Sequence, residues 1–159
     1  MSVEFGETEW IAKSVSGNTL TAVAKTISHM PAGEAAAAEW LPRYDYQTVG
    51  EVLTDVLVTV ETRITMPRWS SYETAPEAEQ SEWDRFCSAL RAHEQGHIDL
   101  VVEHLHDIDE RLVGKSASAA QQVWAKALDS LESANSAYDQ ETDHGRNEGA
   151  VIDVTVAGL

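Results

Sequence analysis

Trp83-Asp84-Arg85-Phe86-Cys87-Ser88-Ala89-Leu90-Arg91-Ala92-His93-Glu94-Gln95-Gly96-His97 is the stretch whose reading decides the fold. Trp83, Phe86 and Leu90 recur at helical spacing. His93, Glu94 and His97 continue that stripe toward Val101, His104, Ile108 and Leu112. The periodicity predicts a long helix starting between Thr74 and Ser81 and running to about Val113, with Gly114 placed to end it. Within it, His93-Glu94-Gln95-Gly96-His97 has the form H-E-x-x-H. Residues four apart share a helix face, so both imidazoles can reach one cation. Glu94 lies about 100° round the helix and one residue on, where it can take a proton from a water. Zinc suits this donor set. With three protein ligands it keeps a fourth position open, and it lowers the pKa of a water held there to about 7. Two imidazoles and a carboxylate facing a core without partners would each cost several kcal/mol in desolvation, and a metal removes that cost. The bland alternative is a pair of core histidines hydrogen-bonded to neighbours. Gly96 costs a helix interior about 1 kcal/mol relative to Ala, and it reads either as a close approach by another backbone or a ligand or as a merely tolerated glycine.

A third ligand must come from elsewhere. His104 lies seven residues past His97, about 10.5 Å along an unbroken helix, which is too far to share one zinc. It and His106 read as structural or surface histidines. A second long helix is predicted from Ser116 or Ser118, with Val123, Trp124, Ala127, Leu128, Leu131 and Tyr138 as its stripe and a break by Gly145. His144 sits at that break. It can face the first helix only if the second helix ends before it, since an unbroken helix carries it about 120° from Tyr138. Glu132, Asp139 and Glu141 are carboxylate alternatives. Tyr138 can donate its hydroxyl to a developing oxyanion or serve as a core tyrosine. Asp99 can orient a ligand imidazole or be solvated.

Working outward, Trp10 to Val15 reads as a short strand. Thr19 reads as the cap of a helix running to His29, with Leu20, Val23, Ala24 and Ile27 on one face. Pro31 and Gly33 end that helix, and the alanine run after Glu34 reads as a connector. Trp40 to Thr48 and Val52 to Met66 read as two strands joined at Gly50, the second with Val52, Val56, Val58, Val60, Ile64 and Met66 on its buried face and Pro67 as its stop. Val151 to Val156 reads as a last strand. Strands first and helices later predict an α+β fold, a small antiparallel sheet packed on two long helices, in a single domain over 1–159. Trp69 and Trp83 read as core aromatics, and Cys87, the one cysteine, as a small buried residue.

The chain carries 27 acidic and 11 basic residues, a net charge of −16. That excludes a basic nucleic-acid surface and disfavours anionic membranes. No run approaches the roughly 18 apolar residues of a membrane span, and the acidic start from Met1 to Trp10 is not a signal peptide. These features predict a soluble protein, cytoplasmic by default.

The sequence also resembles a bacterial family of uncharacterised domains described as predicted secreted zinc-dependent proteases. The resemblance rests on Met66-Pro67-Arg68-Trp69, on Trp83 and Phe86 leading into His93-Glu94-Gln95-Gly96-His97, and on Tyr138-Asp139 with Thr142-Asp143-His144-Gly145. Ser14-Val15-Ser16-Gly17-Asn18-Thr19-Leu20 is similar to its start. The resemblance implies a zincin-like fold with His93 and His97 as zinc ligands, Glu94 as catalytic base and His144 as third ligand. It also implies secretion or a periplasmic location as the alternative compartment. The resulting expectation is a Zn²⁺ metallopeptidase acting on a peptide or protein substrate. The alternative is a zinc-binding or protein-interaction module of the same fold without catalysis.

Overall fold

A computed structural model describes residues 1–158. The strands are β1 (Ser2–Phe5), β2 (Glu9–Val15), β3 (Ala37–Val49) and β4 (Val52–Trp69). The helices are α1 (Leu20–Ser28), α2 (Glu77–Leu105), α3 (Ile108–Leu112) and α4 (Ala117–Thr142). β4 pairs with each of the other three strands, giving a small four-stranded sheet served by two long helices.

The chain forms two compact units. The first comprises Met1–Glu9, Glu39–Arg63 and His97–Ala137. Its core packs Val56, Val58 and Val60 of β4 with Val101 and Leu105 of α2, Ile108 and Leu112 of α3, and Leu131 of α4. β1 lies parallel to β4 in this unit, with Ser2 opposite Leu57 and Phe5 opposite Val60. The sheet is therefore not purely antiparallel as the sequence predicts. A parallel pair needs a long crossover, and here β2, α1 and β3 intervene between the partners.

The second unit comprises Trp10–Ala38, Ile64–Gly96 and the residues from Tyr138 onward. Its core joins Val15, Leu20, Val23 and Ile27 to Trp69, Trp83, Phe86 and Leu90. A nine-residue helix such as α1 is marginal alone. Burial of Leu20, Val23 and Ile27 contributes roughly 1.5–3 kcal/mol each. Thr19 Oγ1 accepts from the Ala22 N–H at 3.1 Å as the sequence predicts, and the buried Glu79 accepts from the Leu20 N–H at 2.8 Å.

Several boundaries differ from the sequence reading. β4 continues through Pro67 to Trp69. Proline removes one ladder donor but suits extended backbone near a strand end. The buried face of β4 changes parity twice. Leu53 rather than Val52 is buried, then Val56 to Ile64 alternate, then Pro67 and Trp69 are buried. The predicted first long helix ends at Leu105, and Asp107 (φ −116, ψ 10) separates it from α3. Asp competes for backbone hydrogen bonds and tolerates such a break, which leaves Leu105, Ile108 and Leu112 all fully buried. Val151 to Val156 forms no strand and instead enters a 3₁₀ turn at Val154–Gly158. Ala35 and Ala36, read as connector, belong to the second unit's core. Among the described residues, no helix is long and apolar enough to cross a membrane.

Candidate metal centre

α2 runs unbroken through the motif, so His93 and His97 stand one turn apart on one helix. His93, Glu94 and His97 are 2%, 4% and 7% exposed. Three polar side chains so deeply buried need partners.

In the second unit, His93 lies between two carboxylates. Its Nδ1 is 2.9 Å from Glu148 Oε1 and its Nε2 is 3.1 Å from Asp139 Oδ1. The Tyr138 ring stacks on the imidazole, with centroids 4.8 Å apart and planes 12° from parallel. The Tyr138 hydroxyl lies 3.3 Å from both the His93 carbonyl and Glu148 Oε1, and its one hydrogen is shared between them. Burial, followed by the Glu148 charge, pushes the Tyr138 hydroxyl up to about 12, so it remains a donor at neutral pH. Gly96 is explained by the same ring. A methyl there would stand 2.3 Å from the Tyr138 oxygen. The close approach is made by a side chain, not by the backbone or ligand that the sequence suggests.

In the first unit, His97 has its tautomer fixed by its neighbour. Asn135 Nδ2 donates to the Leu131 carbonyl at 3.1 Å, so Asn135 Oδ1 is the atom facing His97 Nδ1 at 2.6 Å. An amide oxygen only accepts, so His97 Nδ1 carries the hydrogen that this contact needs. This is the arrangement in which an outer hydrogen bond orients a metal-binding imidazole. Trp40 stacks on the His97 ring at 6.4 Å.

α4 ends at Thr142, as a forward-facing His144 requires. Asp143 (φ 49), His144 (φ 56) and Gly145 (φ 85) then follow in left-handed conformation. Thr142 Oγ1 accepts from the Gly145 N–H at 3.1 Å, and the His144 N–H donates to the Asp139 carbonyl at 2.8 Å. His144 Nδ1 bonds Glu34. Glu34, Asp139 and His144 each offer one ligand atom within 4.8 Å of the others. Asp139, one of the alternatives, is the group beside His93 Nε2. Glu132 and Glu141 are exposed. His104 and His106 bond the carbonyls of Leu100 and Glu103, as structural histidines do.

Glu94 and His144 line a cavity of about 250 Å³ in the second unit. Arg85 braces its C-terminal wall by donating to the carbonyls of Gly149 (2.9 Å) and Val151 (2.6 Å) while pairing with Glu82. The Arg85 guanidinium holds the Glu82 carboxyl below its usual range, so the brace is ionic at neutral pH.

Sequence reasoning missed Glu148, Glu34 and Asn135. Asn135 left a signal, as a polar residue one turn past Leu131 on the apolar stripe. The two glutamates left none, because each reaches the site from a short 3₁₀ turn or its cap, too short to carry periodicity.

Residues 12–145 match the model of a bacterial protein family of unknown function, DUF922. The chain belongs to that family. No curated protein and no solved structure matches it. The DUF922 match takes in His93 to His97, Tyr138, Asp139 and His144, and stops before Glu148. A family of unknown function assigns no activity, so any chemistry must be argued from the residues.

Proposed function

We propose that this chain is a zinc metallopeptidase in which His93, His97 and Asp139 hold the metal and Glu94 is the general base. One observation carries the reading, which is the carboxylate on each nitrogen of the buried His93. A neutral imidazole has one N–H. Only one of the two carboxylates can take that hydrogen, and a cation shared by Asp139 Oδ1, 3.1 Å away, and the ring's Nε2 would serve the other contact. Two imidazoles and a carboxylate form a zinc donor set that leaves one position open.

A bound zinc supplies a Lewis acid for the carbonyl and a water acidified toward neutrality. Glu94 would take a proton from the attacking water on its carboxylate and return it to the leaving amine. Tyr138 and Glu148 position the His93 ring, and Asn135 positions that of His97. His144, fixed by Glu34, belongs on this reading to the cavity wall beside the substrate instead of to the metal.

Glu94→Gln is isosteric and removes the base. We expect it to keep one zinc per chain and to lose peptide hydrolysis by about 10²–10⁴-fold. Hydrolysis at the wild-type rate in that variant would sink the mechanism.

A further inference from the structure

We infer that the cavity beside Glu94 is a recognition pocket for one apolar, ring-sized side chain of a peptide, next to the bond that is cut. As a substrate pocket it rests on the peptidase reading above. As a binding site it rests on the cavity alone. Ala24 and Ile27 of α1, Phe86 and Leu90 of α2, and Ile152 supply its apolar lining. Its volume is about 250 Å³. An apolar cavity of about 150 Å³ takes up benzene, so this one admits a phenyl or branched aliphatic side chain, and a methyl leaves it mostly empty. The charged lining does not ask for a charged ligand. Glu34 is bonded to His144, and Arg146 donates to Asp143 Oδ1 at 3.2 Å and to the Ala32 carbonyl at 2.8 Å. Glu94 borders the same cavity, so a side chain seated in it brings its own amide to the base.

The test has a binding arm and a cleavage arm. Isotopically labelled protein without added metal is titrated with the N-acetyl amides of phenylalanine, leucine and alanine, following the methyl signals of Ala24, Ile27 and Leu90. The phenylalanine and leucine amides should bind at least tenfold more tightly than the alanine amide, the discrimination expected of an apolar pocket. Ala24→Leu fills the cavity from α1 with a good helix former and should abolish that preference while leaving the weak alanine binding unchanged. Ile152→Phe fills it from a lining position outside α1 and serves if Ala24→Leu does not fold by circular dichroism. Equal affinity for all three amides, or a phenylalanine preference that survives both filling variants, overturns the inference. In the cleavage arm, zinc-loaded protein should cut peptides beside Phe or Leu. Ring-selective binding with no cleavage of any peptide would leave the pocket standing and defeat the peptidase reading. Cleavage with no residue preference would defeat the pocket and keep the peptidase.

Discussion

Gly96→Ala should change sign with its neighbour. In an ordinary helix interior this substitution stabilises by about 1 kcal/mol. Here the new methyl would stand 2.3 Å from the Tyr138 oxygen, 2.7 Å from Cζ and 3.0 Å from Cε1. Comfortable contact begins near about 3.5 Å, so the ring must retreat by about 1 Å. Overpacking of this kind costs roughly 1–3 kcal/mol. Set against the propensity gain, the net effect is a destabilisation of about 1 kcal/mol, reaching about 2 kcal/mol if the ring cannot move. In a Tyr138→Ala background the obstacle is gone, and Gly96→Ala should stabilise by about 1 kcal/mol. The coupling across the cycle is then about 2–3 kcal/mol, as expected of residues in contact. Urea unfolding of the metal-free variants measures it, with midpoints compared at constant slope. The displaced ring is also the one stacked on His93, so zinc affinity should fall about 10–100-fold in Gly96→Ala alone. If Gly96→Ala stabilises both backgrounds equally, Tyr138 does not sit where the argument needs it.

Other expectations follow from the same contacts. Asp139→Ala should abolish stoichiometric zinc binding while His144→Ala retains it, as read by elemental analysis after dialysis; the opposite result would make His144 the ligand. Asn135→Ala removes the acceptor on His97 Nδ1 and should weaken zinc about 10–100-fold in chelator competition. Tyr138 ionises near pH 10 unfolded and near pH 12 folded, so the unfolded chain loses its proton first. Its stabilising contribution is whole below pH 10 and is lost as pH rises toward 12. Urea midpoints of Tyr138→Phe should therefore fall less steeply over that window than those of the wild type.

The helices were legible because their apolar residues keep a 3.6-residue period over many turns. The α2 stripe from Trp83 to Val101 and the α1 cap at Thr19 needed nothing beyond local sequence. The end of α2 was not legible, because Leu105, Ile108 and Leu112 keep helical spacing across a break that only the backbone at Asp107 reveals. β1 was missed because four residues carry too little alternation, and its partner in β4 lies more than fifty positions away. The motif histidines were legible because two imidazoles and a glutamate on an apolar face conflict with burial unless something resolves it. The orienting groups were not. Glu148 and Glu34 sit in segments without periodicity, and only the folded chain brings each to its histidine.

The strained turn after α4 connects these facts. Left-handed backbone costs an ordinary residue about 1–2 kcal/mol, and Asp143 and His144 both adopt it. The structure compensates with local bonds. Arg146 ties to Asp143, and the Ala150 N–H donates to the Gly145 carbonyl at 2.9 Å. A turn needed only to stop a helix would require one such residue, commonly glycine. The extra ones bring Gly145 against the His93 ring, where an added Cβ would stand 2.9 Å from Cγ. They also send the chain back so that Glu148 reaches His93 Nδ1 while Asp139, still on α4, stays at Nε2. The two carboxylates therefore have different origins. Asp139 is presented by a regular α-helix inside the stretch that matches DUF922, and Glu148 by a single 3₁₀ turn outside it. Rigid elements hold a reacting group more closely than loops do, so on the proposed zinc reading Asp139 is the ligand and Glu148 is the group that aims the ring.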